Sequence, residues 1–129
     1  MSKIKKILSL FVLVFALAFV VACDKKPEKG DTVEVTVIVE SQTEELSNKT
    51  HQIEEFSSVF ELLNAYYSIS FTRSEMGPYL NFITIGSQKI GDKENTYVAF
   101  YVNGDYATKG IGDTYVKADD IFKFVETKF

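Results

Sequence analysis

Strict alternation of apolar and polar residues marks the first predicted element of the chain. In residues 32–40, TVEVTVIVE, valine occupies every second position from Val33 to Val39, which is typical of a strand that buries one face. The polar segment SQTEELSNK that follows predicts a turn. THQIEEF, residues 50–56, predicts a weaker returning strand. We therefore expect the first two strands to form a hairpin.

The period of the pattern changes in SSVFELLNAYYSI, residues 57–69. Apolar side chains recur there at the i, i+3, i+4, i+7 and i+8 spacing of one helical face: Val59, Leu62, Leu63, Tyr66 and Tyr67. Ser58 and Glu61 have the spacing of a capping box, which marks a helix start. The sequence predicts a helix of about three turns, with the sheet as the partner for its apolar stripe.

Further strands are predicted in the second half of the chain. EMGPYLNFITIG, residues 75–86, opens with a Gly-Pro turn and becomes extended, whereas SQKIGDKEN is a polar connection. TYVAFYV, residues 96–102, is apolar or aromatic on both faces, which indicates a central strand. DIFKFVETKF, residues 120–129, alternates as a last strand. The order predicts a small α+β domain with a mixed β-sheet packed on one α-helix.

The N-terminus has the pattern of a secretory signal. The basic residues Lys3, Lys5 and Lys6 precede the apolar run Ile7–Ala22, and VVAC ends in Cys23. A cysteine directly after the cleavage point is the lipobox pattern of bacterial lipoproteins, in which that cysteine is diacylated. We expect residues 1–22 to be a lipoprotein signal peptide and the mature protein to be anchored in the cell membrane, on its extracytoplasmic face, through lipid on Cys23.

Two other interpretations of this N-terminus are a transmembrane anchor and an ordinary secreted protein. A transmembrane anchor needs about 20 apolar residues, and Ile7–Ala22 is shorter. A secreted protein would not need its single cysteine at the cleavage site. Residues 23–31 are charged and contain Pro27 and Gly30, so they predict a tether, and the domain is expected to span residues 32–129.

Charge excludes one class of partner. The chain has a net charge of −4, and removal of Lys3, Lys5 and Lys6 with the signal peptide leaves −7. An acidic surface repels phosphates, so no nucleic-acid partner is expected. With no cysteine left for a disulfide, the domain must be stabilised by its apolar core.

Few residues suggest catalysis or metal binding. His51 is the only histidine and lies on a polar hairpin, and a structural zinc site needs several His or Cys ligands. No Gly-x-Ser-x-Gly motif is present. Asp113, Asp119 and Asp120 could attract a hard cation, but their spacing does not match an EF-hand, so a solvated turn is the simpler interpretation. We expect no catalytic residue, no metal and no cofactor. We therefore expect that the protein is not an enzyme.

The tyrosines are the better candidates for ligand contact, because a flat ring with a polar tip can stack on a planar or sugar ligand. The candidates are Tyr79, Tyr97, Tyr101 and Tyr106. The alternative is that these rings pack in the core and on the sheet surface. Asn103-Gly104 is a strong hairpin signal, since both central residues of a type I′ turn need positive φ.

From about Val33 to Phe129 the chain resembles the bacterial domain family related to the C-terminal domain of transcobalamin and intrinsic factor. The resemblance lies in the helix after a hairpin, in GPYLNFITIG, and above all in TYVAFYVNGDYATKGIGDTYVKADDIFKF. Two positions depart from that family. Its usual Trp before Asn-Gly is absent, with Val98 in that place, and its Asp-Gly-Asp turn reads Ala118-Asp119-Asp120.

The resemblance implies a β-grasp-like module that binds a ligand or an extracytoplasmic protein. Two alternative functions are also considered. One is capture of a corrinoid or another cofactor for a transporter. The other is a structural or adhesion accessory that docks by strand addition.

Overall fold

The first hairpin forms as the alternating pattern predicts. Strand β1, Thr32–Glu40, pairs antiparallel with β2, Glu45–Glu54, in a computed structural model that describes residues 28–129. The predicted signal peptide, the predicted lipidation site Cys23 and most of the predicted tether lie outside the described residues. The predicted turn is shorter than expected, because it occupies only the residues between the two strands, where the Ser41 hydroxyl accepts hydrogen bonds from the N–H groups of Thr43 and Glu44.

The assignment of residues 45–49 to a turn was therefore wrong. These residues are polar because β2 is the edge strand of its sheet, where side chains face water and neither face needs to be strongly apolar.

Helix α1, Val59–Tyr66, begins with the predicted capping box. The Ser58 hydroxyl accepts from the Glu61 N–H (3.1 Å), and the Glu61 carboxylate accepts from the Ser58 N–H (3.4 Å). Val59, Leu62 and Leu63 are buried in the core. The helix has about two turns rather than three, because Tyr67 already has an extended backbone and leads directly into the next strand.

A second sheet packs beside the helix, and the sequence predicted only its middle strand. β3, Ser68–Ser74, pairs antiparallel with β4, Gly77–Ile85, which pairs with β5, Gln88–Ile90. The interpretation of SQKIGDKEN as a mere connection was wrong for its first part. Ile90 is almost completely buried, and this one anchoring side chain holds a strand too short to show a period.

The larger sheet is mixed, as predicted. β6, Thr96–Val102, β7, Asp105–Tyr106, and β8, Ile121–Lys128, complete the order β2-β1-β8-β6-β7. β1 and β8 are parallel, and the other pairs are antiparallel. β6 is not central, since only Tyr101 and Val102 pair with β7.

The core lies between the larger sheet on one side and α1 with the smaller sheet on the other. It contains the odd-numbered valines of β1, Phe122 and Phe124 of β8, and Ile83 of β4. The result is a sheet-dominant α+β domain with one short helix. In the described part of the chain, no helix has the length and apolar character needed to span a bilayer.

Candidate functional site

The loop Ala107–Asp113 follows β7 and is held at both ends. The Ala107 N–H donates to the Phe100 carbonyl (2.9 Å), which extends the β6–β7 hairpin by one residue. Ile111 is buried, and its carbonyl accepts from the Phe60 N–H (3.0 Å) at the start of α1. Between these two points Thr108–Gly110 are exposed.

Three adjoining depressions surround this loop, with volumes of about 400, 280 and 620 Å³. Thr108 and Lys109 border all three. We call the combined surface the loop trough; its rim consists of Pro78, Tyr79, Tyr106, Ala107, Thr108, Lys109, Gly110, Asp113 and Tyr115.

The depressions differ in their chemistry. The 280 Å³ depression has an apolar floor of Leu80, Val98 and Phe100, where β4 approaches β6. The 400 Å³ depression adds the charged groups of Asp105 and Lys117, and the 620 Å³ depression adds the hydroxyl group of Ser74. The trough can therefore accept a ligand that has both an apolar surface and polar groups.

The loop is seated on the β3–β4 hairpin through a close contact. A Cβ atom on Gly112 would lie only 2.7 Å from Cδ of Pro78, so no larger residue fits without displacing the loop. Gly112 thus sets the distance between the loop and Pro78, and with it the width of the trough.

Two of the four predicted tyrosines border the trough. Tyr79 and Tyr106 are 59% and 60% exposed. They lie on different elements, β4 and β7, so the fold and not the sequence spacing brings them to one surface. Both rings are free enough to contact a ligand.

The other two tyrosines lie on the outer face of β6, opposite the core-facing Val98 and Phe100. The rings of Tyr101 and Tyr106 meet edge to face with centroids 5.5 Å apart, and Tyr97 packs at 5.1 Å from Phe129. Ala99, between them on the same face, is only 1% exposed. Partial desolvation of the Tyr97 hydroxyl, together with the neighbouring Tyr106, raises the pKa of Tyr97. These rings mainly cover the sheet.

His51 joins the second strand to the end of the helix. Its ring stacks on Tyr66 at 4.2 Å, and Nε2 lies 2.7 Å from the Tyr67 hydroxyl. Burial, with a smaller contribution from Lys49, lowers the pKa of His51. The side chain is engaged in packing, on a different part of the surface from the trough.

Asp119 and Asp120 lie in the turn before β8, as predicted, and the Asp120 carboxylate accepts hydrogen bonds from neighbouring protein groups. Asp120 accepts hydrogen bonds from the Lys117 N–H (2.9 Å) and from the Asn103 side-chain amide (3.0 Å). Asp119 adopts the left-handed conformation that the altered family turn requires, with φ 66°. Asp113 borders the trough instead. Within residues 28–129, no three His, Cys, Asp or Glu side chains are grouped as metal ligands.

Comparison with known proteins identifies the family. The sequence model of a family described as Domain of unknown function (DUF4430) matches residues 57–124, more than half of the chain. The chain belongs to this family. No curated protein sequence matches it significantly.

The fold of the DUF4430 domain is found in solved structures of low sequence identity. A candidate metal-binding protein from Ruminococcus gnavus ATCC 29149 has 14% identity and a TM-score of 0.59, with 75% of this chain and 98% of that chain covered. Haptocorrin in complex with Cbi has 14% identity and a TM-score of 0.61, with 84% and 28% covered. The chain therefore spans about a quarter of the length of haptocorrin. The shared fold confirms the predicted resemblance to the transcobalamin family.

Sequence reasoning missed much of the DUF4430 site. Thr108, Lys109 and Tyr115 border the trough but were not candidates, although GIGD, residues 110–113, indicates a loop that passes close to other backbone. All rim residues lie within the matched range 57–124.

A buried carboxylate at the other end of the sheet was also missed. Glu126 is 3% exposed and accepts hydrogen bonds from the Gly91 N–H (2.9 Å) and the Gln42 amide (3.2 Å). Its place in the alternation, in phase with Phe122 and Phe124, was the signal for burial.

Proposed function

We propose that this DUF4430 domain is the non-enzymatic ligand-binding part of a lipid-anchored extracytoplasmic protein, and that its ligand binds in the loop trough. The observation that carries the proposal is the combination of an apolar floor with two exposed tyrosines and several polar groups on one surface. Exposed aromatic rings around an apolar depression are typical of sites for small molecules that have a flat apolar face.

The lack of an assembled catalytic group supports a binding role. His51 is packed between Tyr66 and Tyr67, away from Thr114 and the other hydroxyl groups of the trough. A general base must lie within hydrogen-bond reach of the proton that it removes, and no such pair lies at the trough among the described residues.

The membrane anchor and the β-grasp-like architecture are parts of the same proposal. Residues 1–22 would be removed, Cys23 would carry the lipid, residues 23–31 would form the tether and residues 32–129 the domain. The parallel pairing of β1 with β8 and the helix after the first hairpin are consistent with a β-grasp-like arrangement. Intact-mass measurement on membrane-extracted protein tests the anchor, because an unmodified Cys23 would contradict it.

Corrinoid capture for a transporter is the second candidate, and the likeness to haptocorrin in complex with Cbi supports it. Since the matched region is 28% of haptocorrin, most of that protein has no counterpart in the described residues. We therefore expect a corrinoid to bind this domain with low affinity unless a partner completes the site.

A docking role through strand addition has a separate location. β2 is an edge strand, and the Gln52 carbonyl on its free edge accepts a hydrogen bond from the Tyr66 hydroxyl (2.6 Å). The residues before Gln52 on that edge are available for an extended partner chain. A Thr50→Pro substitution would abolish such docking, because proline cannot donate to a ladder, and would leave the trough intact.

Native mass spectrometry tests the main proposal. The soluble piece, residues 24–129, is incubated with pooled cofactors, sugars and peptides, and we expect a discrete added mass. Tyr79→Ala should weaken that binding at least tenfold, since it removes a ring from the rim. Tyr66→Ala is the matched control, because it removes an exposed ring that lies against His51, away from the trough. An apo spectrum with every pool, or equal loss in both variants, would overturn the trough as the site.

A further inference from the structure

The point where the chain enters the domain is fixed by hydrogen bonds. The Gly30 N–H donates to the Glu55 carbonyl, and the Glu55 N–H donates to the Asp31 carbonyl, both at 2.8 Å. One residue earlier, Lys29 forms an ion pair of 2.6 Å with Glu61 at the start of α1. The chain before β1 is therefore held against the end of β2 and the first turn of the helix.

This entry point is adjacent to the loop trough. Directly after Glu55, the Phe56 N–H donates to the Val116 carbonyl, and the Val116 N–H donates to the Ser57 carbonyl, both at 2.8 Å. Val116 follows Tyr115, a rim residue. Neighbouring strands lie about 4.8 Å apart and consecutive Cα atoms about 3.8 Å apart, so two strand spacings and two steps along the chain place Gly30 within roughly 17 Å of the trough rim.

Strand directions separate the two ends of the molecule. β1 and β8 are parallel and β6 is antiparallel to β8, so the starts of β1 and β8 and the end of β6 share one end of the sheet. The loop of the trough comes directly after the β6–β7 hairpin, which turns at that end. Gln88 borders the depression that contains Ser41 and Glu126, at the other end. It pairs with Ile85, six residues after Tyr79 on β4, and so lies roughly 20 Å from the trough rim along that strand.

We infer that the loop trough faces the membrane in which the protein is anchored, and that it exchanges its ligand with the extracytoplasmic surface of an integral membrane protein. The inference rests on the proposed lipid anchor and binding role. Residues 24–28 between Cys23 and the ion-paired Lys29 can span at most about 20 Å. The trough therefore stays within roughly 40 Å of the bilayer, while the Gln88 end projects away from it.

Charge favours a protein over the lipid surface as the partner. The mature chain has a net charge of −7 by sequence, as removal of three signal lysines from −4 gives, and an acidic domain is repelled by anionic phospholipid headgroups. Lys109 and Asp113 on the rim carry opposite charges, so this surface can form polar contacts of both signs with a protein.

Fluorescence energy transfer tests the orientation. The full-length lipidated protein is placed in phosphatidylcholine vesicles that contain an acceptor-labelled lipid. Because Cys23 is the only cysteine and its thiol carries lipid, Thr108→Cys and Gln88→Cys each supply a single site for a donor dye. We expect transfer from position 108 to be several-fold more efficient than from position 88. Equal transfer, the reverse order, or failure to associate with the vesicles would overturn the inference.

The class of partner is tested with the same two positions. A photoreactive side chain at position 108 in intact cells should form an adduct with an integral membrane protein, and the matched one at position 88 should not. Adducts at both positions or at neither would contradict the inference. Sedimentation of the unlipidated soluble piece with phosphatidylglycerol vesicles would instead indicate a lipid partner and also overturn it. Ligand binding by the soluble piece does not depend on orientation, so a failure here is distinguishable from failure of the proposed function.

Discussion

Glu126 shows how one polar side chain can fix three separate segments. Its carboxylate oxygens accept from Gly91, before β6, and from Gln42, in the first turn, while Lys93 lies 3.8 Å away. A buried carboxylate is costly unless its oxygens are hydrogen-bonded. Glu126 is therefore part of the core in spite of its charge.

Replacement of Glu126 tests this role. Glu126→Ala should lower the free energy of unfolding by about 1–3 kcal/mol, because it leaves the Gly91 N–H without an acceptor. Glu126→Gln should cost less, since one oxygen remains, and Glu94→Ala on the exposed connection nearby is the control. Urea unfolding gives the comparison, and equal stability of the Ala variant and the wild type would contradict the role.

His51 makes stability depend on pH in a defined direction. Because its pKa is lowered in the folded protein, the unfolded chain binds a proton first as the pH falls. The contribution of His51 to the free energy of unfolding is therefore intact above about pH 6.5, the pKa of histidine in the unfolded chain. It is lost as the pH falls towards the lower pKa of the folded state.

The melting temperature between pH 7.5 and 5.5 measures this effect. We expect the wild type to lose stability across that range and His51→Gln to lose less, since the chain has one histidine and carboxylates titrate mostly at lower pH. Parallel curves for the two proteins would show that His51 is not the titrating group.

At the scale of elements, local signals were reliable and tertiary ones were not. The capping box at Ser58 and the Asn103-Gly104 turn, with φ of 51° and 90°, formed as predicted, because each depends on adjacent residues. β3 and β5 were missed because they are stabilised by pairing with β4. The outer face of β6 is apolar because tyrosine rings cover Ala99. A strand with two apolar faces is typical of the centre of a sheet, and β6 was therefore wrongly expected to be central.

The loop of the trough gives a prediction at this scale. Gly112→Ala should destabilise the domain by about 1–3 kcal/mol, because the new methyl group would collide with Pro78. It should also weaken ligand binding, since the loop moves away from β4. Gly110→Ala is a matched control, as nothing lies within 4 Å of its Cβ position. Thermal unfolding of both variants decides the matter, and equal melting temperatures would contradict the role of Gly112.

At the scale of the whole molecule, the sequence predicted a mixed sheet on one helix and not the second sheet or the site. The central pair, β1 with β8, joins the two ends of the domain, a contact that no local pattern specifies. The trough is likewise built from β4 and from β7 with the loop that follows it, two segments that are distant in sequence. Tyrosine content suggested which residue type to examine, and the topology decided that Tyr79 and Tyr106 border the trough.

The Asn103-Gly104 turn also affects how the protein ages. Asn-Gly is a sequence prone to deamidation, in which the Gly104 nitrogen attacks the side-chain carbonyl carbon of Asn103 and ammonia leaves. Here that side chain is held by Asp120 (3.0 Å) and by the Ile121 N–H (2.8 Å). We expect the folded domain to deamidate at Asn103 many times more slowly than the urea-unfolded chain, as peptide mass spectrometry over weeks can measure.

Asp120→Ala should remove much of this protection, and an unchanged rate in that variant would show that the hydrogen bond does not shield the amide. Once formed, a carboxylate at position 103 would face Asp120, and like charges would push the end of β6 away from the start of β8. The hydrogen bonds that hold these strand ends together thus also set the chemical lifetime of the folded protein.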